Sequence, residues 1–240
     1  CSGRGESCGE AELTALTDLV RRIRVMLETT GRQRGRPLFL AIRVPDSIDY
    51  CRVIGIDLEK WLKEGLIDLL IVSGYTQLNP WEHSVALGHR YNVKVYPSLD
   101  EPRLRDREAN AARQTLPAYR GRALNAWAAG MDGIYLFNFF DPHSPLWREL
   151  GDPSILRTRE RTYFASVRGV GSMPVPHQKF VHVTTLNPGN PLPISPGQTP
   201  RVELRVAEAP NSKFRAKLRL RPEPAKEQLQ IRLNGKELLA

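Results

Sequence analysis

Gly130-Met131-Asp132-Gly133-Ile134-Tyr135-Leu136-Phe137-Asn138-Phe139-Phe140-Asp141-Pro142 joins a helix end, a tight turn and a short apolar strand, and closes on polar side chains. A strand that is apolar on both faces is normally covered on both faces, as in a parallel sheet wrapped by helices. Polar groups at the carboxyl end of such a strand stand where α/β proteins place their ligands. Three upstream segments repeat the arrangement. Residues 38–44 are apolar and end at Arg43 and Pro45-Asp46. Residues 66–72 end at Ser73-Gly74-Tyr75, and residues 93–99 end at Asp100-Glu101-Pro102.

Helical patterns separate these strands. Leu13, Leu16, Val20, Ile23 and Leu27 share one face of a helix over 10–29, followed by a basic loop at 31–37. A helical region follows the first strand, broken near Gly55 and restarted with Asp57 as cap. Asn79-Pro80 supplies a cap and a proline at the first helical position, opening a helix to about Tyr91. A long helix within 106–129 stops at Gly130, and 145–166 reads as helical again. The order is one helix, then strand–helix four times. Right-handed crossovers make the four strands parallel. Four such units are half of an eight-stranded α/β barrel or a small doubly wound sheet. No Gly-x-Gly-x-x-Gly follows the first strand, which speaks against a dinucleotide cofactor.

From residue 171 onward prolines punctuate the chain, and three period-2 segments follow at 202–206, 214–220 and 229–233. Asn234-Gly235 is a hairpin signal. The expected fold is therefore α/β: a parallel, four-stranded half of a (β/α)₈ barrel over 1–170, then a small antiparallel β module over 171–240.

The chain has 240 residues, 41% hydrophobic and 25% charged, with no apolar run near the ~20 residues of a membrane span. It begins Cys1-Ser2-Gly3-Arg4, with no methionine and no signal-peptide core, and so reads as a piece of a longer chain. Cys1 and Cys8 can pair, which leaves Cys51 over, and no His or Cys spacing suggests a metal. The net charge of +9 invites a polyanion, but no nucleic-acid motif accompanies it and few aromatics sit among the arginines. An arginine-rich, solvated surface accounts for most of that charge. Lys213, Arg215, Lys217, Arg219 and Arg221 alternate with apolar residues. On a strand they would project from one face, as a solvated edge or as a strip for an acidic polysaccharide.

Parallel strands share one carboxyl-end rim. That rim would gather Arg43 and Asp46, Tyr75 and Gln77, Asp100 and Glu101, then Asn138 and Asp141. Carboxylates, amides, a guanidinium and an aromatic are what a polyhydroxylated ligand needs, and paired carboxylates suit glycoside hydrolysis. Each residue also has a plainer role. Asp46 can cap a helix or pair with Arg43, Asn138 can bind backbone, and Asp141 can hold a turn. Tyr75 and Trp81 can pack a helix, and Glu101 can pair with Arg103 or Arg105.

Arg-Val-Pro-Asp-Ser at 43–47, the run from Gly55 to Leu70, and Gly-Met-Asp-Gly-Ile-Tyr-Leu-Phe-Asn at 130–138 resemble the C-terminal half of family-ten-like glycoside hydrolase proteins. The resemblance covers most of 12–165 and, more loosely, 180–240. It implies barrel strands five to eight followed by a β-rich module, and an extracytoplasmic location. In related retaining enzymes a nucleophilic glutamate ends strand seven. Here that points to Glu101, with Asp100 beside it. The acid/base partner would belong to strand four, upstream of this chain. Two functions follow as expectations: a glycoside hydrolase-like protein acting on carbohydrate, or a non-catalytic carbohydrate-binding or scaffold protein. No metal or other cofactor is implied. A half-barrel would need its missing N-terminal half, or a second copy of the chain, to cover its edges.

Overall fold

A computed structural model describes residues 5–73, 77–99, 104, 106–165, 178–208, 215–220 and 230–238. The chain divides into two compact units, Cys1–Ala207 and Glu208–Ala240.

The first unit opens with α1 (Glu10–Gln33), whose inward stripe includes Leu13, Thr17, Val20 and Gly31. Three short strands follow: β1 (Ala41–Val44), β2 (Leu69–Val72) and β3 (Lys94–Pro97). They form a parallel sheet in the order β1-β2-β3, with Val44, Val72 and Pro97 aligned at the carboxyl ends. Between them lie α2 (Ile48–Val53), α3 (Leu58–Lys63) and α4 (Trp81–Arg90). One sheet face carries Val44, Leu70, Val72 and Val95. It is buried with Val20 of α1, Trp61 and Leu62 of α3, and Leu87 of α4. Trp61 donates its indole N–H to the Thr17 hydroxyl at 2.9 Å, so both polar atoms are satisfied inside that core. The other face carries Arg43, Ile71 and Tyr96 in register and is only half-buried.

Helix starts follow local chemistry. Ser47 caps α2 by accepting the Tyr50 N–H. Asp57 stands at the N-cap of α3, but its carboxylate faces Arg52 instead, 3.3 Å away. Helix α4 begins at Trp81, one residue past the expected start, with Pro80 as N-cap. The expected long helix over 106–129 is two helices, α5 (Arg107–Arg113) and α6 (Leu116–Ala128). Pro117 lies in the first turn of α6, where its missing N–H is harmless, and would break a continuous helix. Likewise the described residues of the expected helix, 145–165, hold two short helices, α7 (Leu146–Glu149) and α8 (Pro153–Thr158), separated by Gly151-Asp152 ahead of Pro153. Around α6 a second core gathers Leu99, Tyr119, Ala123, Leu124, Leu146, Leu150 and Leu156.

The fourth strand does not form, and this overturns the half-barrel. The sheet has three strands, and the segment after Gly130 touches it through one isolated parallel bridge, Ser98 with Tyr135. The reason lies in the outer edge of β3. Residues 95, 97 and 99 turn their backbone groups toward the fourth segment: the Val95 and Pro97 carbonyls accept from Asp132 and Tyr135, and the Leu99 N–H donates to Tyr135. A ladder also needs N–H donors at 95 and 97. The Val95 N–H is taken by the Asp132 carboxylate at 2.9 Å, and Pro97 has none. Leu99 is left as the single backbone donor, which supports a bridge and no more. The Tyr96 ring fills the space beside Gly133, where an added Cβ would lie 2.5 Å from Cε1. The chain then turns away at Asn138, whose φ is 52°.

In the expected antiparallel module, Lys213, Phe214, Arg221 and Leu229 lie outside the described residues. Residues 202–206 and 215–220 are irregular and exposed. Among the described residues of the second unit, β4 (Ile231–Leu233) and β5 (Lys236–Leu238) form one hairpin. Its turn is Asn234-Gly235, with φ of 50° and 81°, the two positive values that a tight primed turn requires.

Candidate functional site

Aligned parallel strands bring three chain segments to one edge, and the fourth segment crosses beside it. At that edge Arg43, the third residue of β1, points to the half-buried face. Its guanidinium stacks on the Phe137 ring, 3.6 Å from the centroid. Ser73, directly after β2, is buried with φ of 65°. A positive φ at a serine is uncommon, and such backbone often marks a binding site. Asn138 shares that conformation and is exposed.

Asp46 also sits at this edge but turns inward. It is 3% exposed, and its carboxylate accepts the Leu78 N–H at 3.0 Å and the Asn79 N–H at 2.9 Å. In return Asn79 donates its amide to the Asp46 carbonyl at 2.8 Å. Burial pushes the Asp46 carboxyl up to about 6, and the backbone donors only partly offset this. Asp46 thus clamps the end of β1 to the loop before α4, while the helix cap falls to its neighbour Ser47. The buried thiol of Cys51 is pushed far above its usual range, first by burial and then by Asp46. It donates to the Pro45 carbonyl and is unsuited to nucleophilic chemistry.

Asp141 holds a turn: its carboxylate accepts the His143 N–H at 3.0 Å. Its backbone carbonyl accepts the Trp147 indole N–H at 2.6 Å. That bond orients an aromatic group the sequence reading passed over. Phe139 meets Trp147 edge-on at 5.3 Å and Tyr119 at 5.7 Å. Phe140 is 85% exposed and Trp147 52% exposed. The alternation Phe137-Asn138-Phe139-Phe140 was visible as a sequence. Phe140 falls just past the run 134–139 and Trp147 in the segment read as helical, so neither pattern marked them as outward aromatics.

Tyr75, Asp100 and Glu101 lie outside the described residues. Gln77 donates to the Asn79 carbonyl at 2.9 Å, so it serves the loop. Trp81 packs against the main core, and Trp61 and Cys51 are buried in it. Among the described residues no group of three His, Cys, Asp or Glu side chains can hold a metal ion. An open groove of about 690 Å³ lies at the opposite, amino side of the sheet, between α3 and the end of α4. Its lining includes Glu64, paired with Arg21, and Glu59, which accepts from the Tyr91 hydroxyl. These are structural pairings.

One further cluster stands at the amino side. The Asp132 carboxylate accepts from Lys94 at 2.7 Å, from the Val95 N–H at 2.9 Å, and contacts His89 Nε2 at 2.8 Å. Partial burial would raise this carboxyl, but Lys94, Val95 and His89 together lower it to about 2. It ties α4, β3 and the turn after α6 together, at the end of the sheet away from the rim.

Compared with known proteins, the sequence matches no family model and no curated protein.

Proposed function

We propose that this is a glycoside hydrolase-like protein that engages carbohydrate at the carboxyl edge of β1–β3, on a surface made by Arg43, Asn138, Phe140 and Trp147. The observation that carries the proposal is the exposed pair Phe140 and Trp147 on the segment that Phe137 links to Arg43 of β1, with Asn138 exposed between Phe137 and Phe140 in sequence. Aromatic faces take the C–H face of a sugar ring, and neighbouring amides and guanidinium groups take its hydroxyls. Binding without hydrolysis is the favoured form. The two rim carboxylates among the described residues, Asp46 and Asp141, are engaged by backbone N–H groups. Hydrolysis would rest on Glu101 with Asp100, and a retaining reaction needs a second carboxylate about 5 Å away.

Affinity electrophoresis through neutral and acidic polysaccharides tests the proposal. At least one polysaccharide retards the protein, and Trp147→Ala weakens the retardation about tenfold, as expected for loss of a stacking aromatic of about 1.4 kcal/mol. No retardation by any polysaccharide, or retardation untouched by Trp147→Ala and Phe140→Ala, refutes it. Aryl glycosides test hydrolysis separately: turnover that is equal in the parent and Glu101→Gln removes Glu101 from any site.

A further inference from the structure

No helix among the described residues is long and apolar enough to cross a membrane. Lying on a membrane is a different matter, and one surface of the first unit has the composition for it. The outward stripe of the C-terminal half of α1 carries Leu19, Arg22, Val25, Met26, Thr29 and Arg32, all exposed. Val25 is 60% and Met26 57% exposed. The chain then folds tightly back on the helix end. Arg36 donates its N–H to the Gly31 carbonyl at 3.1 Å and Gly35 to the Arg32 carbonyl at 3.2 Å. Gly31 is required here, because a Cβ would stand 2.9 Å from the Arg36 carbonyl oxygen. Gly35 adopts a φ of 66° to make the turn. This fixed turn brings Arg34, Arg36 and Phe39 beside the helix. Phe39, Arg36 and Arg32 line one groove of about 480 Å³ with Glu28. Phe39 is 69% exposed.

The charges are unbalanced in a way that selects the partner. Arg21 and Arg24 are consumed by Glu64 and Asp68. Arg22, Arg32, Arg34 and Arg36 make no side-chain ion pair or hydrogen bond with any described residue. Glu28 is the exposed acid on this part of the helix. Four unspent guanidinium groups interleaved with Val25, Met26 and Phe39 complement a surface that is anionic outside and apolar just beneath. A polyanion in water would satisfy the arginines and gain nothing from the aliphatic side chains. A bilayer with acidic headgroups satisfies both sets.

We propose that the C-terminal half of α1 and the loop 32–39 form a peripheral docking surface for an anionic lipid membrane, with Arg22, Arg32, Arg34 and Arg36 on the headgroups and Phe39 entering the interface. The proposal is independent of the carbohydrate reading, because none of these residues belongs to the sheet edge.

Vesicle co-sedimentation of the whole chain tests it, with pure phosphatidylcholine against phosphatidylcholine containing one-third phosphatidylglycerol. The protein sediments with the acidic vesicles at low salt and is released as salt is raised. Each arginine near such a surface contributes about fivefold in affinity, so the pair Arg34→Gln with Arg36→Gln loses about 25-fold. Phe39→Ala loses about tenfold, and Arg157→Gln, an exposed arginine elsewhere, loses nothing. These side chains are exposed, and circular dichroism confirms that each variant is folded. Absence from acidic vesicles, equal sedimentation with both vesicle types, or variants that sediment like the parent overturns the proposal. So does binding to heparin beads that falls with the arginine pair and ignores Phe39→Ala while vesicles stay unbound, which assigns the surface to an acidic polymer.

Discussion

The Asp46 clamp makes a quantitative prediction about pH. A carboxyl that titrates near 6 in the folded protein and near 3.8 in the unfolded chain holds more proton when folded throughout that interval. Stability therefore falls as pH rises through it, and the fall is complete above about 6. The shift of about 2 units corresponds to about 3 kcal/mol. Asp46→Asn removes this dependence. It also replaces one accepting oxygen with an NH₂ that faces backbone donors, which costs about 1–3 kcal/mol at every pH. The two effects separate in one experiment: urea denaturation of both proteins at pH 4 and at pH 7.5. At pH 4 the variant is the less stable by the full cost of the lost acceptor. At pH 7.5 the gap shrinks or reverses, because only the wild type carries the buried charge. The change in the difference between the two pH values is about 2.5 kcal/mol, slightly less than the full shift because the unfolded carboxyl is already partly ionised at pH 4, and every other titrating group cancels in that difference. A difference that stays constant to within 0.5 kcal/mol, roughly the scatter expected between independent sites, would mean that Asp46 is not buried as a titrating clamp.

Further outcomes follow from other contacts. Asp132 is held at about 2, below its usual 3.8, so its contribution is present above pH 3.8 and lost as pH falls toward 2. Asp132→Asn lowers stability by about 1–2 kcal/mol at pH 7, after allowance for solvent screening, and the gap to wild type closes on acidification in the same denaturation assay. Thr17→Val keeps the volume but leaves the buried Trp61 indole N–H without its acceptor, and lowers unfolding free energy by about 1–3 kcal/mol. Gly121→Ala drives a Cβ to 2.2 Å from the Thr162 carbonyl oxygen, a backbone atom. It destabilises by about 1–3 kcal/mol, seen as a lower thermal midpoint.

Much of the architecture was legible in local pattern. The apolar runs before Val44, Val72 and Pro97 marked three strands, and helical connections between them implied parallel order, as found. Helix positions were read well where one apolar stripe ran uninterrupted, as in α1. They were overextended where a proline lay inside the pattern, as at Pro117 and Pro153. At the site, Arg43 lies on β1 with its guanidinium over the Phe137 ring and Asn138 is exposed, while Asp46 does not face outward. A polar residue after a strand can serve a ligand or a loop, and the sequence does not say where the next loop's N–H groups will fall. The aromatics Phe140 and Trp147 were missed because one lies just past the run read as a strand and the other in a segment read as helical, and neither pattern says which side chain distant packing leaves exposed.

Composition and periodicity by themselves determined an α/β chain whose runs ending at Val44, Val72 and Pro97 are parallel strands, with an amphipathic first helix and a hairpin at Asn234-Gly235, but they also called for a fourth strand that does not form. These are properties of neighbours in sequence. The tertiary structure alone decided that the sheet stops at three strands and that Phe140 and Trp147 stay exposed. The first outcome turns on the outer edge of β3: Pro97 has no N–H, and the Val95 N–H goes to a carboxylate 37 residues away. Hydrogen-bond donors are a finite supply, and which partner takes each one is settled only when distant segments meet.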